Sequence, residues 1–412
     1  MSDPIGEANF HHQALIDKLV EGKLLHSPLI EAAFRAVPRH HFLPDLPVAE
    51  VYEDRAIPTK IENGRAISSS SQPAIMAIML EQLDLQPGHH VLEVGAGTGY
   101  NAALMAHIVG EAGQVTTVDI DEDIVLAAQA HLAAAGVNTP VHVICADGTL
   151  GWTAHAPYDR IILTVGGWDI SPAWLDQLTE DGRLLLPLSL NGPQLSVAFK
   201  QENNRLISQS VASCGFMRLR GPFAEPEHQL VLGPIPELTL EAMSPLPDAA
   251  DTLYQWLQQH RQKQETHITL TPRKLWRDLI GWLALHERQF CHLVARKEAV
   301  EADLVPPLFQ SETELKWQSS MGLWSEDGLA MLGRQRTDDP SLMTLVVWGF
   351  GPKPTAAQRL LDEIHVWDEN GRPHITNLSI AAYPLEYPYQ PSPHEIVIPK
   401  QWQQFVLRWS EK

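Results

Sequence analysis

The chain has 412 residues, 44% of them hydrophobic, enough to bury a large core and ordinarily to divide into two domains. Fifty acidic against thirty basic side chains leave a net charge of −20, a surface that repels DNA and RNA and argues against a nucleic-acid partner. No apolar run is long enough to span a bilayer, and MSDPIGEANFHHQ has neither the basic start nor the apolar stretch of a signal peptide, so a cytoplasmic protein without a membrane partner is expected. Cys145, Cys214 and Cys291 show no C-x-x-C spacing, which predicts buried thiols rather than disulfides or structural zinc.

Residues 10 to 90 read as helices with polar breaks: HHQALIDKLVEG, then SPLIEAAFRAVP with Ser27 as N-cap, Pro28 at the first helical position and Pro38 as the stop. From 91 to 200, apolar β-rich runs alternate with helical ones: HVLEVG, YNAALMAHIVG, QVTTVDI, DEDIVLAAQAHLAAAG, VHVICAD, DRIILTVGG and SPAWLDQLTEDG. Strands this apolar on both faces belong to a parallel sheet covered by helices. RLLLPLSL and QLSVAFK flank Asn191-Gly192-Pro193 as a hairpin would, placing an antiparallel strand at one edge. Next comes GPIPELTLEAMSPLPDAAD, whose Pro234, Pro236, Pro245 and Pro247, with Pro222 and Pro226 just ahead, predict a linker.

Beyond it the pattern is α+β: helices at DTLYQWLQQHRQ, PRKLWRDLIGWLALHER (capped by Thr271) and TAAQRLLDEIHVWDENG, and strands around GLWSEDGLAMLGR, TLVVWGF and ITNLSIAAYP. The expected domains are 1–232 and 248–412. Nine of the twelve tryptophans fall in the second, as core or as a peptide-binding face.

The chemistry is concentrated in VLEVGAGTGYNAA, residues 91–103, where a strand meets Gly95-Ala96-Gly97-Thr98-Gly99 and turns helical. Bare backbone there can approach a cofactor at the carboxyl end of the strand. Position 100 is tyrosine where a dinucleotide fingerprint needs glycine, which disfavours a nicotinamide cofactor. Asp119 ends the next strand, placed for ribose hydroxyls, and Asp147 ends the one after, placed for an adenine amino group. Two acids fit a nucleoside without phosphates and tolerate a sulfonium charge, so S-adenosyl-L-methionine is the natural candidate.

AFRAVPRHHFLPD (33–45), VYEDRAIP (51–58), ISSSSQPAIMAIMLEQLDLQPGHHVLEVGAGTGY (67–100), ADGTLGW (146–152), YDRIILTVGG (158–167) and DGRLLLPL (181–188) occur in the order found in one enzyme family. Over roughly residues 10–225 the chain resembles the protein-L-isoaspartate O-methyltransferases, members of class I. The resemblance implies a Rossmann-like doubly wound sheet with an antiparallel edge strand, S-adenosyl-L-methionine as donor, and a peptide or protein carrying an aspartyl or isoaspartyl carboxylate as acceptor. It puts the active-site serine on Ser71, with Ser70 as a competing hydroxyl, and Arg220 beside the substrate. Cofactor contacts fall on Ser68, Ser69, Gln72, Glu93, Gly95, Ala96, Gly97, Thr98, Gly99, Asp119, Ile120, Asp147, Gly148 and Thr164.

Family members generally end soon after the catalytic domain, whereas some 180 residues remain here. General isoaspartyl repair and tailoring of one ribosomally made peptide, where ordinary aspartate becomes an aspartimide, therefore compete, with the second domain expected to select the peptide. A non-catalytic peptide-binding protein is opposed by the intact turn and both acids. Nucleic-acid methylation is opposed by Thr164-Val165-Gly166-Gly167, which stands where an Asn/Asp-Pro-Pro-aromatic tetrad would be needed. The paired histidines 11/12, 40/41 and 89/90 point opposite ways on a strand, so no metal is expected. The oligomeric state is not encoded in any motif.

Overall fold

The computed structural model describes residues 4–410 apart from 63–64, 193, 204, 226–227, 236, 247–248, 260, 312–315 and 354. Pro193, Pro226, Pro236 and Pro247, used in the turn and linker expectations, lie outside the described residues.

α1 (Pro4–Glu21), α2 (Pro28–Ala36) and α3 (Val48–Val51) open the chain. Ser27 precedes α2 as expected, yet its hydroxyl makes no cap; the Glu81 carboxylate instead accepts from the amides of His26 and Ser27 at 2.7 and 2.8 Å. The all-helical expectation for 10–90 fails at β1 (Ile57–Glu62) and β2 (Arg65–Ser70), an antiparallel pair, after which α4 (Pro73–Leu83) starts with Gln72 at its N-cap.

β3 (His90–Val94), α5 (Tyr100–Val109), β4 (Gln114–Asp119), α6 (Glu122–Ala134), β5 (Val141–Cys145) and β6 (Tyr158–Leu163) alternate as predicted. α7 is only Pro172–Asp176, and β7 (Leu178–Ser189) starts inside the segment read as one helix. The helix stops because the Gln177 carbonyl accepts the Tyr158 amide at 2.8 Å, which draws the chain into the sheet. β8 (Gln194–Glu202) and β9 (Arg205–Cys214) follow.

The proline-rich stretch is no linker: β10 (His228–Val231) runs just ahead of it, and it carries β11 (Leu238–Ala242), which fits between Pro234 and Pro245. α8 (Ala250–Gln258), β12 (Gln262–Leu270), α9 (Pro272–Lys274) and α10 (Ile280–His286) come next, the last two joined by a π-helical turn, and Thr271 Oγ1 accepts the Lys274 amide at 3.2 Å as the cap of α9. β13 (Phe290–Arg296), α11 (Glu298–Glu301), β14 (Phe309–Ser311), β15 (Trp317–Ser325), β16 (Gly328–Arg336), β17 (Met343–Phe350) and α12 (Thr355–Glu369) continue the chain, which closes with β18 (Leu378–Pro384), β19 (Glu395–Pro399) and β20 (Gln403–Trp409).

Two compact units result. The first is Met1–Leu188, Gln194–Glu225 and Ser379–Arg408; the second is Ser189–Pro193, Pro226–Leu378 and Trp409–Lys412. These bounds differ from the expected 1–232 and 248–412: the main segment of the second unit is 226–378, and residues 379–408 belong to the first.

The first unit holds a ten-stranded sheet in the order β19-β20-β18-β9-β8-β7-β6-β3-β4-β5. Its β7-β6-β3-β4-β5 portion is parallel, with β3 and β4 buried on both faces, which is the doubly wound class I architecture. The antiparallel portion closes one edge as expected, but the edge strand is β19, and the β8–β9 hairpin lies inside the sheet, as does the β7–β8 turn read from sequence. Val197, Ala198 and Phe199 of β8 are fully buried, and β9 pairs onward with β18 through Ile207↔Ala381 and Leu206↔Ala382.

The second unit is α+β: an antiparallel sheet ordered β10-β11-β13-β15-β16-β17-β12, with β14 beside β15. α12 buries Ala356, Ala357, Leu360, Ile364 and Trp367, a helical stripe at three- and four-residue spacing. Trp282 is also buried, whereas Trp276 is 54% and Trp317 37% exposed. Of the thiols only Cys291 is buried; Cys145 is exposed, at the end of edge strand β5. Among the described residues no helix is long and apolar enough to cross a membrane, and no cluster of three or more His, Cys, Asp or Glu is arranged to hold a metal.

Candidate active site

The strand order reverses between β3 and β6, which opens a crevice beyond their carboxyl ends. Gly95 to Gly99 lie there. Gly97 and Gly99 have φ of +51° and +86°, conformations that side chains resist. A Cβ on Gly99 would stand 3.3 Å from the Ala128 carbonyl, so any larger residue would wedge α5 away from α6. The Gly97 amide donates to Asp119 Oδ2 and the Asp121 amide to Oδ1, both at 3.3 Å. Burial raises the Asp119 pKa above the ordinary carboxylate range. Thr164 Oγ1 donates to the Gly95 carbonyl at 2.7 Å, fastening the turn to the end of β6, and Ile120 is 38% exposed beside Asp119. Ala96 and Thr98 are buried, and the Thr98 carbonyl lies 3.0 Å from His131 Nδ1.

Glu93, a cofactor contact by the family resemblance, is fully buried. Its carboxylate accepts from Asn101 Nδ2 at 2.8 Å and Thr117 Oγ1 at 2.6 Å, and burial raises its pKa from the ordinary 4.5 to about 7. Between those two values the folded state holds a proton that the unfolded chain has lost. Stability therefore falls as pH rises through that window and stays lower above about 7. Glu93→Gln is expected to flatten this slope, worth about 3 kcal/mol across the window, in urea unfolding repeated from pH 4.5 to 7.5.

At the end of β5, Asp147 Oδ1 accepts from the Thr149 amide at 3.0 Å and its hydroxyl at 2.7 Å, which sets a tight turn through Gly148. A Cβ on Gly148 would stand 2.4 Å from Val94 Cγ1, so the turn packs directly on β3. The fully buried Trp174 donates from Nε1 to the Gly148 carbonyl at 2.9 Å.

β2 sorts the serines by alternation. Ser68 and Ser70 point inward: Ser68 Oγ accepts from Thr59 Oγ1 at 3.1 Å, and Ser70 Oγ from Arg39 Nη2 at 3.2 Å. These bonds engage both hydroxyls inside the protein, Ser68 among the expected cofactor contacts and Ser70 as the competing hydroxyl. Ser69 and Ser71 are half-buried on the other side, and the Ser69 carbonyl lies 3.5 Å from where a Cβ on Gly97 would stand. The serine segment therefore lies alongside the glycine turn. Gln72 Nε2 is spent on the Asp54 carbonyl at 3.1 Å, and Asp54 Oδ1 accepts the Ala74 amide at 2.9 Å.

Arg39 holds this segment, a role sequence reasoning missed. Its fully buried guanidinium donates through Nη2 to the carbonyls of Ser71 at 2.9 Å, Ser70 at 3.4 Å and Arg55 at 3.5 Å, and through Nη1 to that of Glu53 at 3.4 Å. The signal was present in VPRHHF and VYED, but acceptors that are backbone carbonyls leave no trace in residue type. Arg220 also departs from expectation. It pairs with Asp121 at 2.7 Å, and Lys60 of β1 meets the same carboxylate at 3.0 Å. The Arg220 hydrogen bond, followed by that of Lys60, holds the Asp121 pKa below the usual range against some desolvation.

A doubly wound sheet with a glycine turn bonded to the Asp119 carboxylate, a second carboxylate, Asp147, after the next strand, and no Lys or Arg from Gly95 to Asn101 to meet a phosphate, defines a class I methyltransferase. The cradle fits S-adenosyl-L-methionine, the class's cofactor, because its strand-end side chains are acceptors and its glycines leave backbone uncovered by side chains.

Residues 10–222 match the family model described as protein-L-isoaspartate(D-aspartate) O-methyltransferase. A protein-L-isoaspartate O-methyltransferase of Methanopyrus kandleri is 36% identical over 218 residues, 52% of this chain and 94% of that protein. One from Methanococcus aeolicus is 35% identical over 211 residues, 51% of this chain and 94% of that protein. A solved structure titled protein-L-isoaspartate O-methyltransferase aligns with a TM-score of 0.49 and 23% identity over 90% of this chain and 96% of its own. The chain belongs to the protein-L-isoaspartate(D-aspartate) O-methyltransferase family, and it is an enzyme.

Proposed function

We propose that this chain methylates a carboxylate of an aspartyl or isoaspartyl residue in a peptide or protein, giving a methyl ester that a neighbouring backbone nitrogen converts to a succinimide. The observation that supports this is the approach of the serine segment to the glycine turn, the Ser69 carbonyl lying 3.5 Å from where a Cβ on Gly97 would stand.

When bound, S-adenosyl-L-methionine supplies a methyl group on a sulfonium. Asp119 would hold ribose hydroxyls and Asp147 the adenine amino group, with Gly95 to Gly99 letting the backbone come close. A carboxylate acceptor has a reference pKa near 4 and is already ionised at neutral pH, so no general base is required. The residues' task is alignment and exclusion of water, which can be worth on the order of 7–11 kcal/mol. Ser71 Oγ would donate to one acceptor oxygen and orient the other. Ser71→Ala is expected to lower kcat/KM on the order of 10²-fold while donor affinity by calorimetry stays unchanged; an unchanged kcat/KM would remove Ser71 from this role.

The family-model match ends at residue 222, and if the residues from 226 onward grip one substrate, a dedicated peptide is favoured over general repair. Incubation with labelled donor and two peptide sets, isoaspartyl linear and cyclic with ordinary aspartate, separates these readings. A gain of roughly 14 mass units, one CH₂, followed by loss of methanol in the cyclic set alone identifies tailoring, and in the isoaspartyl set alone identifies repair. Gain in neither set counts against both.

A further inference from the structure

The turn between β19 and β20, residues Lys400 to Trp402, reaches the loop that follows β6. Asp169 in that loop is fully buried, and its carboxylate accepts the Ile170 amide at 2.8 Å and the Trp402 amide at 2.6 Å. The Trp402 ring stacks on Phe223 with centroids 4.4 Å apart and 27° between planes. Phe223 in turn lies 5.1 Å from the Trp168 ring, accepts from Trp168 Nε1 at its carbonyl at 3.0 Å, and meets the edge of Trp174 at 6.4 Å.

Trp174 closes the chain of contacts, because its Nε1 donates to the Gly148 carbonyl, next to Asp147. Ser171 adds a parallel tie, its hydroxyl donating to the Thr149 carbonyl at 2.7 Å. An unbroken run of packed rings and buried hydrogen bonds thus joins residues near the C-terminus to the turn that would hold the adenine. Lys400 lies 5.8 Å over the Trp168 ring, covering the same cluster from the side.

We propose that the β19–β20 turn is a positioning element of the donor site, with Trp402 and Asp169 holding the Asp147–Gly148 turn in its binding geometry through Phe223 and Trp174. The proposal rests on the donor-site assignment above. It gives the returning segment a second task besides completing the sheet: donor affinity depends on a part of the chain that the matched region, residues 10–222, does not contain.

The test uses full-length protein and calorimetric titration with S-adenosyl-L-homocysteine, alongside thermal melts without ligand. Trp402→Ala is expected to weaken binding about three- to thirtyfold, and Trp402→Phe, which keeps a stacking ring, to restore it to within about twofold. Val406→Ala, a buried position in β20 outside the stack, lowers the melting temperature without changing affinity. If Trp402→Ala fails to fold, Trp402→Leu takes its place with the same expected direction. Unchanged affinity in the folded Trp402 variant overturns the proposal, as does equal weakening in Val406→Ala. A wild-type chain that does not bind the ligand sinks the donor-site assignment as well.

Discussion

A chain ending at Leu378 is expected to lose its catalytic unit altogether. Residues 379–408 supply most of β18 and β20 and all of β19, three of the ten strands in the catalytic sheet. Ile380, Phe405 and Leu407 are at most 1% exposed, and burying side chains of this size is worth about 1.5–3 kcal/mol each. Three such losses approach the whole stability of a typical domain, about 5–15 kcal/mol. The cut also removes β18 from the outer side of β9, where Leu206 pairs with Ala382. The expected result is aggregation, or a chain with no cooperative thermal transition and no donor binding, measured by light scattering, melting and calorimetry. A soluble truncated chain that binds donor like the full chain would contradict it. Removing the C-terminal half therefore cannot test peptide selection; replacing 226–378 with a flexible linker can, because every strand of the catalytic sheet is then retained.

The second large effect is expected from Arg39→Met. The substitution keeps an unbranched apolar stem but leaves the carbonyls of Glu53, Arg55, Ser70 and Ser71 without their donor inside the protein. A buried acceptor left unpaired costs about 1–3 kcal/mol, and part of the total will be recovered by relaxation, so a loss of about 3 kcal/mol is expected in urea unfolding. Ser71 then loses its anchor, and a displacement of about 1 Å at a reacting centre can cost about 10²-fold in rate. Arg39→Lys will recover little of either, because a single ammonium cannot span acceptors spread over the fork of a guanidinium. Wild-type stability and turnover in Arg39→Met would show that the serine segment is held by other means.

How much was legible depended on the range of the forces involved. β3 to β6 and their helices could be read locally, because strands buried on both faces and glycines at a turn leave a pattern within a few residues. The family motifs extended this to Ser71 and the two acids. The serines could not be sorted, since ISSSS has no apolar alternation to mark β2 as a strand; its partner β1 provides that. The prolines misled around β11, where they flank the strand rather than interrupt it. The greatest omission was β18 to β20: ITNLSIAAYP reads as a strand, but nothing within it says that its partner is β9, more than 160 residues earlier. The resemblance puts Glu93 among the cofactor contacts, whereas its carboxylate is taken up by Thr117 from the adjacent strand and by Asn101.

The β9–β18 pairing gives the catalytic sheet an unusual order of assembly. At ribosomal speeds of about 5–20 residues per second, synthesis takes about 10–30 s to pass from the end of β9 to the start of β18. During that time the β9 edge offers unpaired backbone groups to any neighbouring nascent chain, while residues 226–378 emerge and can collapse. Newly made enzyme should accordingly be most vulnerable to misassociation late in translation, and its yield should respond more to ribosome crowding and holdase supply than that of relatives lacking the insertion.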